Sequence, residues 1–120
     1  MGIELMQLQM IGIVSEVLPE SEAKIRTHEL IEEIGMTKAD SPFVYAKTDC
    51  GATFCQIIME SHVIGKYFED NLCLEILSCK EFPIEKAIGY AKWAFCFIDE
   101  PLLYTKNRGL NTKEEECLVQ

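Results

Sequence analysis

Hydrophobic and polar residues alternate with a period of two in several parts of the chain, a pattern that predicts β-strands. The clearest alternation runs over residues 72–78, where the more apolar face carries Leu72, Leu74 and Ile76. On this pattern Glu75 and Cys79 point to the opposite side of the sheet. Four further apolar stretches have the length and composition of strands: residues 2–14, 43–47, 52–59 and 102–104.

Two other stretches repeat apolar residues at intervals of three and four, which predicts amphipathic helices. The first begins near Ser21 and ends at Gly35, and the second begins at Pro83 and ends before Pro101. With residues 60–71 taken as a polar break between strands, the predicted order is β-α-β-β-β-α-β. Two helices on one face of an antiparallel sheet form a two-layer α+β sandwich, which is the fold class we expect. The other face is left for solvent or a partner.

The length of 120 residues predicts a single domain. We expect this domain to span residues 1–109. Residues 110–120 are mostly polar and are predicted to form a C-terminal tail.

The chain is acidic, with 20 Asp and Glu against 11 Lys and Arg and a formal net charge of −9. This charge disfavours nucleic acid and anionic membranes as partners, whereas it suits a cationic ligand or simply a solvated acidic surface. No apolar run approaches the roughly 18 residues of a membrane span. The first 17 residues contain Glu4 and Glu16 and no basic start, unlike a signal peptide, so we expect a cytoplasmic protein.

Six cysteines are present, but none forms a Cys-x-x-Cys pair, and the two histidines, His28 and His62, lie far apart in the sequence. This is poor material for a zinc site, so no metal is expected. Several of the cysteines fall inside apolar runs, where a free thiol packs as a small hydrophobic group. The pattern indicates a reducing compartment.

The residues that point to chemistry are Glu60-Ser61-His62, at the start of the polar break. A serine hydroxyl needs activation before it attacks a carbonyl. The candidate activating groups are His62, Lys66 and, one strand back, Thr53. The chain has no Gly-x-Ser-x-Gly elbow, which argues against a hydrolase triad.

In this order of strands and helices, the sequence resembles a known family. Residues 51–79 resemble the processing and active-site segment of the prokaryotic S-adenosylmethionine decarboxylases, and the similarity extends over residues 2–109. That family has a Gly-x-Ser strand, Glu-Ser-His at a self-cleavage point, a strand that ends in Thr-Cys-Gly, and a helix that begins at proline. The matching segments here are Gly51-Ala52-Thr53, Glu60-Ser61-His62, Ser78-Cys79 and Pro83.

The resemblance implies a pyruvoyl-dependent lyase of polyamine (spermidine) biosynthesis, acting on S-adenosylmethionine or a related amino acid. Ser61 would attack the Glu60 carbonyl, and the chain would then split to leave a pyruvoyl group at position 61 as its only cofactor. That group would serve as the electron sink for decarboxylation. Cys79 matches the family's proton donor, and Thr53 matches a serine that assists processing. The family is dimeric, with its active sites between protomers, so a homodimer is implied.

The sequence also departs from the family. Lys66 replaces a histidine that assists processing, and an amine acts as a base only where burial favours its neutral form. The family's Trp-Pro-Glu segment, whose glutamate binds the substrate ribose, is absent, and the loop to Cys79 is two residues shorter. The resemblance implies that Glu69 or Asp70 would take the place of that glutamate. Two alternatives follow. The first is a non-processing homologue with a binding or regulatory role. The second is an acidic α+β dimer in which Ser61 and Cys79 have no chemical function.

Overall fold

The computed structural model describes residues 4–109 and 115–119, with side chains described for residues 5–106. Within these ranges the chain forms two helices and seven strands, and the strands make one antiparallel sheet. In chain order the elements are β1 (Glu4–Ile13), α1 (Glu20–Glu33), β2 (Val44–Thr48), β3 (Gly51–Ile58), β4 (Ser61–Phe68), β5 (Asn71–Ser78), α2 (Ile84–Ala94), β6 (Leu102–Gly109) and β7 (Glu115–Val119). The strand order in the sheet is β2-β3-β4-β5-β1-β6-β7.

The α+β class is confirmed, but the predicted order β-α-β-β-β-α-β is wrong because it lacks two strands, β4 and β7. The predicted polar break contains β4, which pairs with β3 on one side and β5 on the other. This strand was missed because Gly65 and Lys66 interrupt its apolar pattern. Its backbone groups nevertheless find hydrogen-bond partners on both sides, and Val63 and Tyr67 are buried.

A further strand, β7, lies within residues 110–120, the segment predicted as a polar tail. Its backbone pairs with β6, with Leu103 opposite Val119 and Asn107 opposite Glu115. The rest of the predicted tail, residues 110–114 and 120, lies outside the described residues.

The hydrophobic core lies between one face of the sheet and the two helices. Alternate strand residues such as Leu8, Phe54 and Leu74 are at most 1% exposed. They form one cluster with Leu30 of α1 and Ala91 of α2. Because both helices share this cluster, they cover the same face, as a two-layer sandwich requires.

The end of α1 shows how local sequence fixes these elements. Gly35 follows the helix with φ 73°, a left-handed conformation that glycine adopts without a Cβ clash. The Gly35 N–H donates to the Glu32 carbonyl and the Met36 N–H to the Ile31 carbonyl, which is the Schellman arrangement. The predicted end of this helix is confirmed. For α2, Pro83 stands at the N-cap, as its sequence position predicts.

The opposite face of the sheet is not covered by any described element. We call this the open face; it consists of the outward-pointing side chains of β1, β3, β4 and β5. It carries exposed apolar residues, among them Ile11 (42% exposed) and Ile57 (45%). It also carries a polar cluster at its centre, which is described next. Neither helix of the described chain is long and apolar enough to cross a membrane.

Candidate active site

The Glu60–Ser61 peptide lies at the tip of the hairpin that joins β3 to β4. Ile58 is paired with Ser61, so Met59 and Glu60 alone form the turn. The hairpin tip is held by Thr37, whose carbonyl accepts from the Met59 N–H at 2.8 Å. The Thr37 N–H in turn donates to the Glu60 carboxylate at 3.2 Å. The peptide predicted to be cut is therefore positioned by hydrogen bonds from outside its own hairpin.

The end of β5 lies directly beside this peptide. Ser61 is paired with Ser78, and the next residue, Cys79, donates its backbone N–H to the Glu60 carbonyl oxygen at 3.0 Å. The Cys79 thiol is free and exposed. The structure thus brings together Glu60, Ser61 and Cys79, which the sequence separates by about 20 residues. A backbone donor aimed at a carbonyl oxygen is the element from which oxyanion holes are built.

A polar cluster extends from Ser61 across the open face. The Ser61 Oγ lies 3.4 Å from the His62 Nδ1. On the other side of the ring, the His62 Nε2 lies 2.9 Å from the Glu75 Oε2. Both His62 and Glu75 have 23% of their side-chain surface exposed, so the pair is shielded only in part from water. A hydroxyl, an imidazole and a carboxylate therefore follow one another in contact.

Glu75 of β5 is held by side chains of both neighbouring strands, β1 and β4. Its Oε1 accepts a hydrogen bond from the side-chain amide of Gln7 and another from that of Gln9, each at 3.0 Å. Partial burial acts to raise the pKa of Glu75, but the hydrogen bonds from His62, Gln9 and Gln7 outweigh it and bring the pKa below its ordinary value. Glu75 is consequently an ionised acceptor with a fixed position.

Thr53 and Lys66 are brought together, but away from Ser61. They are directly paired across β3 and β4, and Cys73 is the partner of Lys66 on β5. Lys66 lies five residues beyond Ser61 on a strand that rises about 3.4 Å per residue, so about 17 Å separate them. The Lys66 side chain is exposed. The burial that the sequence interpretation required of Lys66 is thus not provided within one protomer.

The predicted substrate-binding acids, Glu69 and Asp70, lie at the opposite end of β4. They form its turn into β5, where Glu69 has φ 56° and its N–H donates to the Cys50 carbonyl at 2.7 Å. The Asp70 carbonyl accepts from the Val14 N–H at 2.8 Å. Glu69 lies eight positions beyond Ser61, which corresponds to about 27 Å along an extended strand. A single chain does not bring these acids to the Glu60–Ser61 peptide.

The open face has a cavity next to the polar cluster. Its volume is about 210 Å³, and it is lined by Leu5, Gln7, Leu77 and Lys106. Leu77 is paired with both His62 and Gln7, so the cavity lies one residue from the imidazole. Among the residues that the structure describes, no group of three or more His, Cys, Asp or Glu side chains is placed to hold a metal ion.

Sequence analysis placed Glu75 on the open face but gave it no partner. The missing information was the register, because β4 itself was not predicted. In the structure Glu75 lies diagonally across from His62, which pairs directly with Leu77. Diagonal neighbours on adjacent strands are within reach of long side chains. The alternation of β5 gave the face of Glu75, but only the pairing of β4 with β5 gives its contact with His62.

A comparison with protein-family models found no match, and a comparison with curated proteins also found none.

Proposed function

We propose that the chain is a self-cleaving, pyruvoyl-dependent decarboxylase that acts on S-adenosylmethionine or a related amino acid in polyamine biosynthesis. Cleavage occurs between Glu60 and Ser61. The proposal also includes a cytoplasmic homodimer. It is supported by the resemblance of residues 51–79 to that family and by the geometry around one carbonyl group.

The observation that carries the proposal is the hydrogen bond from the Cys79 N–H to the Glu60 carbonyl oxygen, 3.0 Å long. Attack by the Ser61 hydroxyl places negative charge on this oxygen. A donor already in place stabilises that charge without reorganisation when the reaction occurs. Removal of one such donor commonly slows acyl transfer by about 10²–10³-fold. The same contact holds Cys79 beside the position where the new group forms.

The residues around Ser61 fit a pyruvoyl group. The group would arise from Ser61 itself, which is only partly exposed at the first position of β4, opposite Ile58 and Ser78. When present, a pyruvoyl group supplies an electron sink for the loss of CO₂ from an amino acid. Cys79, the residue after β5, contacts the Glu60 carbonyl through its backbone N–H and has a free, exposed thiol, which would deliver a proton to the product. The adjoining cavity offers apolar walls from Leu5 and Leu77 for the substrate.

The remaining residues are supplied by a second copy of the chain. Lys66 lies about 17 Å from Ser61 along β4, and Glu69 and Asp70 lie farther away, in the turn after that strand. Thr53 of β3 is the strand partner of Lys66 and so lies at the same distant end. With a two-fold axis near the middle of β4 at the open face, the Ser61 end of β4 in one protomer lies against the Lys66 end of β4 in the other. In such an isologous interface, Ser61 of one protomer meets Lys66 of the other, and the reverse. The exposed apolar residues of the open face would be buried between the protomers.

Intact mass of the purified protein tests the cleavage. The proposal predicts two fragments that separate between Glu60 and Ser61, with the second fragment lacking a free amino group. Ser61→Ala is the matched control and is expected to remain one chain. A wild-type chain of full mass after long incubation would contradict the proposal.

A mixed dimer tests the shared site. In a dimer of a Ser61→Ala protomer with a Thr53→Ala/Lys66→Ala protomer, one complete site remains, made from both chains. We expect cleavage of the second protomer in the mixture and little in either homodimer. If wild type cleaves but the mixture remains as uncleaved as the two homodimers, the result would contradict a site that is shared in this way.

A second candidate is a non-processing homologue with a binding or regulatory role. The observation that favours it is the exposed Lys66 in place of the family's histidine. Under this alternative the protein keeps its full mass, and S-adenosylmethionine raises the melting temperature of the intact chain. A wild-type protein that cleaves itself excludes this alternative.

A further inference from the structure

We propose that His62 accepts the proton of the Ser61 hydroxyl during self-cleavage, and that Glu75 is a positioning residue that fixes the imidazole for this task. The proposal rests on the self-cleavage proposed above and assigns its proton acceptor. The resemblance gives no role to either residue. The inference follows from the contacts of the open face.

The hydrogen-bond partners of Glu75 determine the tautomer of His62. An ionised carboxylate can only accept hydrogen bonds. Gln7 and Gln9 must therefore present their NH₂ groups to its Oε1, and His62 must present Nε2–H to its Oε2. In a neutral ring the other nitrogen then carries a lone pair. This nitrogen, Nδ1, is the one that faces the Ser61 Oγ.

The distance between the Ser61 Oγ and the His62 Nδ1 is 3.4 Å, longer than a strong hydrogen bond. Contacts between a nucleophile and its base are commonly long in resting structures and tighten during reaction. His62 itself cannot approach, because Glu75 holds the far side of its ring.

Three other candidate bases, Glu60, His28 and Lys66, are engaged or remote within the described part of the protomer. The Glu60 carboxylate accepts from the Thr37 N–H. His28, the second histidine, lies on the core side, where it contacts the Gln56 amide at 2.8 Å. Lys66 is about 17 Å away along β4. In a dimer, a cationic Lys66 from the partner would favour charge on the oxyanion rather than accept a proton.

The step can be written with all its atoms. The Ser61 Oγ–H gives its proton to the His62 Nδ1 while Oγ bonds to the Glu60 carbonyl carbon, and the oxyanion forms on the oxygen held by the Cys79 N–H. The Glu60–Ser61 C–N bond then breaks, and the imidazolium returns the proton to the leaving nitrogen. The product is an ester between Glu60 and Ser61. Loss of the Ser61 Cα proton to water breaks the bond between the Ser61 Cβ and Oγ and leaves Glu60 as a carboxylate. Water finally releases ammonia from the resulting enamine to give the pyruvoyl group.

Glu75→Gln provides a sharp test, because it preserves the shape of the side chain and replaces one of its two acceptor oxygens with a donor. The new side-chain oxygen can still accept from Gln7 and Gln9, which leaves its NH₂ to donate to the His62 Nε2. The ring must then carry its proton on Nδ1, where it can no longer accept from Ser61. We expect self-cleavage to slow by about 10²-fold or more, the usual contribution of a positioned base. His62→Gln should cause a loss of similar size.

The tautomer can be measured directly from the ring ¹⁵N shifts of His62 in the uncleavable Ser61→Ala protein. We expect Nε2–H in that protein and Nδ1–H when Glu75→Gln is added. A ring that carries Nδ1–H while Glu75 is intact would overturn the proposal, whatever the cleavage assay shows. Unlike a loss of stability, a change of tautomer reports directly which ring nitrogen of His62 carries the proton.

His28→Gln is the matched control for cleavage, since it removes the other histidine on the opposite face of the sheet. It is expected to cleave at the wild-type rate. If wild type cleaves and His62→Gln cleaves equally fast, the role of His62 is overturned while the decarboxylase proposal stands. If wild type remains whole under all conditions, the decarboxylase proposal fails, and the catalytic role of His62 fails with it.

Discussion

Gly65 is the position where one added methyl group is expected to do most damage. It lies in β4 directly opposite Phe54 of β3. A Cβ at Gly65 would lie 2.0 Å from the Phe54 Cζ and 2.3 Å from its Cε2, well inside van der Waals contact. Gly65→Ala therefore requires the Phe54 ring to move.

The surroundings of Phe54 leave its ring little freedom. It is fully buried and stacks on Phe95 with centroids 5.8 Å apart and planes 8° from parallel. It also contacts Tyr67 at 5.9 Å and Phe43 at 5.8 Å between centroids. Overpacking of a rigid core costs about 1–3 kcal/mol, and we expect the upper end, about 3 kcal/mol, because rings surround Phe54. Since 1 kcal/mol shifts the melting temperature of a chain of this length by roughly 4 °C, the expected loss is about 12 °C.

Thermal and urea unfolding of Gly65→Ala measure this loss. Gly89→Ala is the matched control: a Cβ there meets nothing within 4 Å, and within α2 alanine should stabilise the helix by about 0.5–1 kcal/mol. Phe54→Leu in the Gly65→Ala background should cost less than the sum of the two single changes, because the smaller side chain leaves room for the methyl group. Additive losses, or a Gly65→Ala protein as stable as wild type, would refute the reasoning.

Three further results are expected. Native alkylation should label Cys79 faster than Cys55 and Cys73, because Cys79 is exposed whereas burial raises the pKa of the other two thiols; equal labelling would contradict this. Since the folded-state pKa of Glu75 is lowered, its contribution to stability is complete above its ordinary value of 4.5 and is lost as the pH falls below it. Urea midpoints at pH 7 and in acid should therefore differ less for Glu75→Gln than for wild type, and an unchanged difference would argue against the cluster. Light scattering should give a dimer at micromolar concentration, whereas a monomer would count against the shared site.

Part of the candidate site follows from local sequence. The alternation over residues 72–78 places Glu75 on the face opposite Leu74, and the structure has it there. The Ser61 hydroxyl and the Cys79 thiol were identified as candidates from the resemblance of Glu60-Ser61-His62 and Ser78-Cys79 to segments of the decarboxylase family. The backbone contact between Cys79 and Glu60 was not predictable, because it depends on the registers of β3, β4 and β5 together. A shift by one residue would turn every side chain of β4 to the other face.

The sequence by itself determined the elements whose signals are local. The helix ends at Gly35 and Pro83 follow from backbone preferences of single residues, and the burial of one face follows from the period of the apolar positions. Strand β4 was decided by tertiary structure, since its glycine and charged residues make a weak strand pattern that pairing on both sides overcomes. Likewise, the contact of His62 with Glu75 and the distance of Lys66 from Ser61 are set by the sheet. Residues apart in sequence become neighbours only when the strands that carry them are paired, and no local preference encodes that pairing.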